Sequence, residues 1–467
     1  MRTTVPDSCA YLALTEAASL IQDRKLSPVD LVRVYLDRIE ALDSRLHAYI
    51  TVAADHAVAD ARRAQREIEA GRYRGPLHGI PIAHKDVLWT KGVRTTAHSH
   101  QLKDWLPPDD ARVVKRLRES GAVFLGKTSL HEFAYGSPGP DEAFPAARHP
   151  WNVDYAPGSS SSGSAVAVAA GLCMEATGTD TGGSVRHPAA VCGVVGMKAT
   201  FGRVSTYGVI PLAQTLDHVG PLTRTVRDNA LMLQTMAGYD PNDPRSSERA
   251  VPNFSSLIGS GIQGVTIGVP RRFIESTPHD DETLSAFGAA LREFERLGAK
   301  LTDVDVAGLS EAGEMAPLMI GYEASRNYRA QVEAHPSEFG ATFRERVLKG
   351  ARYSADDYRH ACTLREELRS AYAQLFASGV DVIVSPGREI PADTMAELLA
   401  NPSKRGVTNR MYNLTGMPAL TMPMGFNAAR LPIGIQIAAG HFEECVIYQV
   451  AVTYEDATEW TKHHPLL

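Results

Sequence analysis

A chain of 467 residues is about three times the length of a typical domain, so either several domains or one large α/β body must be considered. Its 44% hydrophobic and 22% charged residues match globular averages and argue against long disorder. The net charge of −6, with no lysine- or arginine-rich run, argues against direct binding to nucleic acid or to an anionic membrane.

Five cysteines (Cys9, Cys173, Cys192, Cys362, Cys445) are scattered and form no C-x-x-C pair, which disfavours a disulfide framework or a zinc ribbon and fits a reducing cytoplasm. The N-terminal residues lack a basic segment followed by an unbroken apolar one, and no window of roughly 18 uncharged apolar residues occurs. A soluble, unexported, cytoplasmic protein is expected. Neither a repeat nor a long Pro/Gly/Ser linker divides the chain, so residues 1–467 are read as one domain.

In chain order, Ser27 is placed to cap a helix opened by Pro28, with Val29, Val32, Leu36 and Ile39 on one face. AYITV at 48–52 reads as a strand, followed by a helical pattern ending at Gly71. Short apolar runs follow at 79–83, 122–126, 265–269, 380–385 and 431–439, separated by helical patterns such as 110–120 and 281–298. Near-continuous apolar strands between helices imply an α/β fold, a large mixed sheet covered by helices on both faces. Residues 240–350 are richer in turn residues and charge and are expected to be a variable insertion shaping a substrate entrance.

Gly121-AVFL-Gly126-Lys127-Thr128 matches the phosphate-loop pattern G-x-x-x-x-G-K-[ST]. A phosphate loop needs a strand before its first glycine, whereas here a helical pattern precedes Gly121 and the intervening residues are themselves strand-like, so the nucleotide reading is set aside. No serine has glycine at both −2 and +2, which closes the α/β-hydrolase route, and the sixteen histidines show no metal-ligand spacing. Neither a metal nor a cofactor is expected.

Residues 156–203 carry the chemistry. Two Gly/Ser-rich loops, 157–164 and 178–184, bracket a helix of small residues. Glycines in the second loop suit a nest of backbone donors aimed at an anion, and the loop ends in Ser184, a candidate nucleophile. The candidate base is Lys85, at the end of the run GIPIAHKD. A lysine with an ordinary pKa near ~10.4 is neutral in well under ~1% of molecules at pH 7, so this role demands burial that lowers it by roughly three units.

Together, GIPIAHKDVLWTKGVRTT (79–96), residues 110–136, HPWN (149–152), the 156–203 block and LDHVGPLTRTVRD (216–228) resemble the amidase signature family, with a weaker C-terminal echo at 416–437. The resemblance implies Ser184 as acyl-accepting nucleophile, Ser160 as bridging serine and Lys85 as base. It also implies an oxyanion hole from the backbone of Thr181, Gly182, Gly183 and Ser184, with Ser161, Asp180 and Arg186 in support. Two glycines of the family's P-G-G-S-S-G-G-S are serine here, and Pro157, Gly158, Gly163 and Ser164 hold the register that selects Ser160. In relatives the peptide bond before the bridging serine is cis.

The implied function is hydrolysis of aryl, alkyl or carbamate-type amides, urethanes included, through an acyl-enzyme. The alternatives are the A subunit of a glutamine-dependent tRNA amidotransferase and a non-catalytic binding protein on the same fold. The stretch near GYEASRNYRAQVEAHP lacks the tyrosine- and arginine-bearing pattern of the tRNA-linked protein's glutamine site, and TNRMYNLTGMPAL lacks its preceding aspartate. A stand-alone hydrolase is therefore the main expectation, with a small-molecule amide or carbamate as partner, no nucleic acid directly, no membrane, and a possible homodimer.

Overall fold

The computed structural model describes residues 7–139, 141–305, 309–400 and 409–467. Eleven strands form one sheet. They are β1 (Tyr49–Val52), β2 (Pro81–Lys85), β3 (Val123–Thr128), β4 (Glu175–Asp180), β5 (Val195–Lys198), β6 (His218–Thr223), β7 (Thr266–Val269), β8 (Lys300–Asp303), β9 (Val382–Pro386), β10 (Ala419–Phe426) and β11 (Pro432–Ala438). Their lateral order is β1, β3, β2, β4, β6, β5, β10, β11, β9, β7, β8. β2 runs parallel to β3 and β4, and β7 to β8 and β9; the other neighbours are antiparallel. The sheet is mixed, as the patterning implied. β2, β4, β5, β6, β9 and β11 are buried at every residue, as strands covered on both faces must be.

Local chemistry sets the elements that matter for the site. Ser27 Oγ accepts from the N–H groups of Val29 and Asp30 and starts the helix Pro28–Leu46. The strand read at 79–83 lies two residues further on, because Gly79 turns the chain through φ +87° before pairing begins. That shift puts Lys85 inside β2 rather than beyond its end. Residues 178–180, read as the start of a glycine-rich loop, are instead the last part of β4, paired with β6 beyond the point where β4 leaves β2. The helix Ser162–Ala169 lies close by, and a Cβ on Gly163 would sit 2.4 Å from the carbonyl of Ala48 and 2.5 Å from the N–H of Ser129. Only glycine fits there.

The phosphate-loop look-alike is β3 itself. Lys127 is fully buried, paired with Asp86 at 3.3 Å and donating to the carbonyl of Leu88 and to Thr95 Oγ1. Within 240–350, β7 and β8 extend the sheet edge, and the helices Leu309–Ala334 and Ala341–Gly350 pack on each other beside the site. The five cysteines are free. Among the described residues no helix is long and apolar enough to cross a membrane.

Candidate active site

Lys85 ends β2 with its ammonium position walled in by the parallel neighbour β4 and the chain leading into helix Ser162–Ala169. It is fully buried. Nζ donates to Ser160 Oγ at 2.8 Å, Ser161 Oγ at 2.9 Å and Thr179 Oγ1 at 2.8 Å. Burial lowers its pKa to about 7, against the opposing pull of Asp180 and Asp217. Three neutral hydroxyls satisfy the nitrogen without fixing a charge on it, so the amine is available as a base near neutral pH. The Ser159–Ser160 peptide bond is cis. Ser161 Oγ also donates to the carbonyl of Thr179 and accepts from its N–H, which fastens this loop to β4.

The turn after β4 is built around Asp180. Its Oδ1 accepts from Gly183 N–H at 2.7 Å, Arg186 Nη2 at 3.0 Å and Asn413 Nδ2 at 2.8 Å; its Oδ2 accepts from Val185 N–H and Arg186 Nε. Burial pushes the carboxyl up, but the Arg186 charge and these bonds outweigh it and hold Asp180 well below the usual carboxylate range. Arg186 spends its remaining donors on Asn409 O, Gln436 Oε1 and Asn413 Oδ1. Of the four backbone donors expected to hold an oxyanion, the N–H of Gly183 is taken by the Asp180 carboxylate, which sits inside the turn. Thr181, Gly182 and Ser184 line the cavity. Thr181 is anchored by its side chain, Oγ1 donating to Asp217 Oδ1 at 2.6 Å, while burial pushes the Asp217 carboxyl up to about 6.

Ser184 is half-buried and opens, with Ser159, Thr181 and Gly182, onto this cavity. The remaining wall carries Leu212, Pro317 and Ile320 and three arginines, Arg346, Arg388 and Arg410. The structure thus gathers Lys85, Ser160, Ser161 and the 180–186 turn, all named from sequence. Thr179, Asp217, Asn413, Gln436 and the three arginines were not foreseen. Thr179 stands beside a recognised motif, but the arginines lie in segments whose approach to Ser184 only the folded chain reveals. Among the described residues no group of three or more His, Cys, Asp or Glu side chains is arranged to hold a metal ion.

A mixed α/β sheet presenting a buried lysine against a serine-rich loop defines an amide-bond hydrolase, and the Amidase family model matches residues 30–447, so the chain belongs to the amidase signature family. Among curated proteins it is 37% identical to the A subunit of glutamyl-tRNA(Gln) amidotransferase from Synechococcus sp. (strain CC9311), over 97% of this chain and 99% of that one. Among solved structures, the peptide amidase of Stenotrophomonas maltophilia is 32% identical with a TM-score of 0.85, covering 97% of this chain and 98% of that one. The A subunit of glutamyl-tRNA(Gln) amidotransferase from Thermotoga maritima is 31% identical with a TM-score of 0.83, covering 98% of each.

These relatives correct one expectation. A chain whose partnership is limited to a small molecule does not stand beside curated relatives that are subunits of a tRNA-linked enzyme. The acidic balance that suggested otherwise speaks only to direct contact; it is silent about a protein whose partner holds the nucleic acid.

Proposed function

We propose that this chain cleaves the C–N bond of an amide by acyl transfer to Ser184. The observation that carries the reading is the fully buried Lys85 amine, 2.8 Å from Ser160 Oγ, with its pKa near 7. Neutral Lys85 takes the proton of Ser160 as Ser160 takes that of Ser184, whose oxygen attacks the carbonyl carbon. The N–H groups of Thr181, Gly182 and Ser184 meet the developing oxyanion, each worth about 10²- to 10³-fold in rate. The proton returns through the same hydroxyls to the leaving nitrogen, which departs as amine or ammonia. Water then attacks the acyl ester, releasing a carboxylate and restoring Ser184. In this reading Ser161 and Thr179 steady the amine between transfers.

The relatives named as amidotransferase subunits support a setting in which ammonia freed here passes to a partner protein, with glutamine as the first amide to try. The five free cysteines support a cytoplasmic setting. A second reading, hydrolysis of a carboxamide other than glutamine, is favoured by its likeness to the peptide amidase and by Leu212, Pro317 and Ile320 in the cavity. In both, residues 1–467 act as one catalytic unit whose 309–350 helices shape the entrance.

The test is to incubate the full chain with glutamine, a C-terminally amidated peptide and an anilide. Released nitrogen is measured, the trapped acyl group is located by mass spectrometry, and co-purifying proteins are identified. An ester on Ser184 is expected. Turnover in Ser184→Ala close to that of the unaltered chain would sink the mechanism.

A further inference from the structure

Thr181 follows the last residue of β4 and lines the cavity onto which Ser184 opens. Among the described residues nothing accepts its backbone N–H. Beyond it the turn is tied to Asp180 through the N–H groups of Gly183 and Val185. Thr181 itself is tied by its side chain: Oγ1 donates to Asp217 Oδ1 at 2.6 Å, a short bond to a charged acceptor.

Asp217 is buried and belongs to a different segment, the chain entering β6. It is itself held firmly. Its carboxylate accepts the N–H groups of Leu212 at 2.9 Å and Ala213 at 3.1 Å, and its own N–H donates to the carbonyl of Ala213 at 2.8 Å, which closes residues 212–217 into a turn. The helix Leu309–Ala334 braces that turn from outside. Asn327 Nδ2 donates to the carbonyl of Leu212 at 3.1 Å, the Tyr328 hydroxyl donates to that of Pro211, and Glu323 accepts the N–H of Thr215 at 3.1 Å. Asp217 is therefore a fixed point, and Thr181 is hung from it. Burial pushes the Asp217 carboxyl up to about 6, below the value near 7 at which Lys85 loses its proton, so the acceptor is largely ionised whenever the base is competent.

An oxyanion donor acts only when aimed at the charge as it develops, and a displacement of about 1 Å can cost about 10²-fold in rate. Resting on the acyl-transfer reading, we propose that Asp217 is a positioning residue for that reaction: by holding Thr181 Oγ1 it aims the Thr181 N–H at the oxyanion formed when Ser184 attacks the amide carbon. Asp217 is not among the described residues lining the cavity, so it acts through Thr181.

The test compares Thr181→Val, which keeps the shape of the side chain and removes the hydroxyl, with Thr181→Ser, which keeps the hydroxyl, and with Asp217→Ala. Each full chain is assayed on glutamine, a C-terminally amidated peptide and an anilide. In parallel, the rate at which a fluorophosphonate labels Ser184 is measured, since the phosphoryl oxygen takes the place of the oxyanion. In Thr181→Val we expect kcat and the labelling rate to fall roughly 10- to 100-fold while KM stays within about twofold, because the N–H is displaced rather than lost. Thr181→Ser recovers most of the rate, and Asp217→Ala loses at least as much as Thr181→Val.

A Thr181→Val or a folded Asp217→Ala chain whose kcat and labelling rate stay within about threefold of the unaltered chain overturns the positioning role alone. So does a Thr181→Ser chain no faster than Thr181→Val, or a loss carried by KM. A chain neither labelled nor active on any amide overturns the acyl-transfer reading and this inference with it. Should a labelled chain turn over none of the three amides, the labelling rates decide; should Asp217→Ala fail to fold, the two Thr181 variants decide.

Discussion

Arg186 grips Asp180 through two parallel hydrogen bonds, Nε to Oδ2 and Nη2 to Oδ1, each 3.0 Å long and both fully buried. The same carboxylate takes the N–H groups of Gly183 and Val185, so the pair sets the curvature of the turn that ends in Ser184. Removing one partner strands the other as a buried charge. Arg186→Met is expected to lose about 3 to 5 kcal/mol of stability, read by chemical denaturation. A loss below about 1 kcal/mol, with activity kept, would show that the turn holds its shape without the pair.

The proposed base gives a pH dependence with a definite sign. Lys85 must be neutral to act, so kcat/KM is expected to rise through about pH 7, the value to which burial lowers it. An ascending limb centred near pH 10 would exclude it.

Stability follows from the same shift. Unfolding restores an ordinary lysine that binds a proton more tightly, so the folded state carries its full cost below about pH 7 and is progressively relieved as pH rises toward 10.5. Lys85→Met, inactive, is therefore expected to gain stability relative to the unaltered chain more at pH 6 than at pH 9. Melting curves at the two values check this, and an equal difference at both would contradict it.

Ser160 and Ser184 are expected to separate in a trapping experiment. Ser184→Ala removes the acyl acceptor, and no ester forms. Ser160→Ala breaks the path from Lys85, slowing ester formation by at least ~10³-fold while leaving its site unchanged. Single-turnover kinetics with mass spectrometry distinguish the two, and an ester on another residue in Ser160→Ala would be the damaging result.

The false phosphate loop can be tested in its own right. Lys127 faces Asp86 inside the protein rather than a ligand. Lys127→Met should leave Asp86 buried and unpaired, at about 3 to 5 kcal/mol. Titration calorimetry of the unaltered chain with ATP should give no saturable heat; saturable binding lost in Lys127→Met would restore the nucleotide reading.

Much of the fold was legible because buried strands leave unbroken apolar runs, as at 122–126 and 431–439. β4 escaped because EATGTD has the composition of a turn; its place between two strands, not its polarity, makes it one. The residues of the proposed proton path stood out in the sequence for a different reason. Lys85, Ser160 and Ser184 sit in short segments whose order and spacing are distinctive. The bond from Gly183 N–H to Asp180 was not legible, because a nest of N–H groups in sequence does not reveal a carboxylate folded into it. Arg346, Arg388 and Arg410 meet only through tertiary packing, 42 and 22 residues apart by their numbering (388 − 346 and 410 − 388), and no local pattern marks them.

The residues proposed to carry the proton, Lys85, Ser160 and Ser184, lie in one stretch of the chain, whereas most of the far wall, from Pro317 to Arg410, comes from another. Among the links between the two stretches are those where Asn409 and Asn413 touch Arg186 and Asp180. Engine and keyhole are thus separately editable: descendants of such a scaffold can exchange the molecule they admit by altering the later stretch, provided those asparagines stay, without relearning how to break the bond.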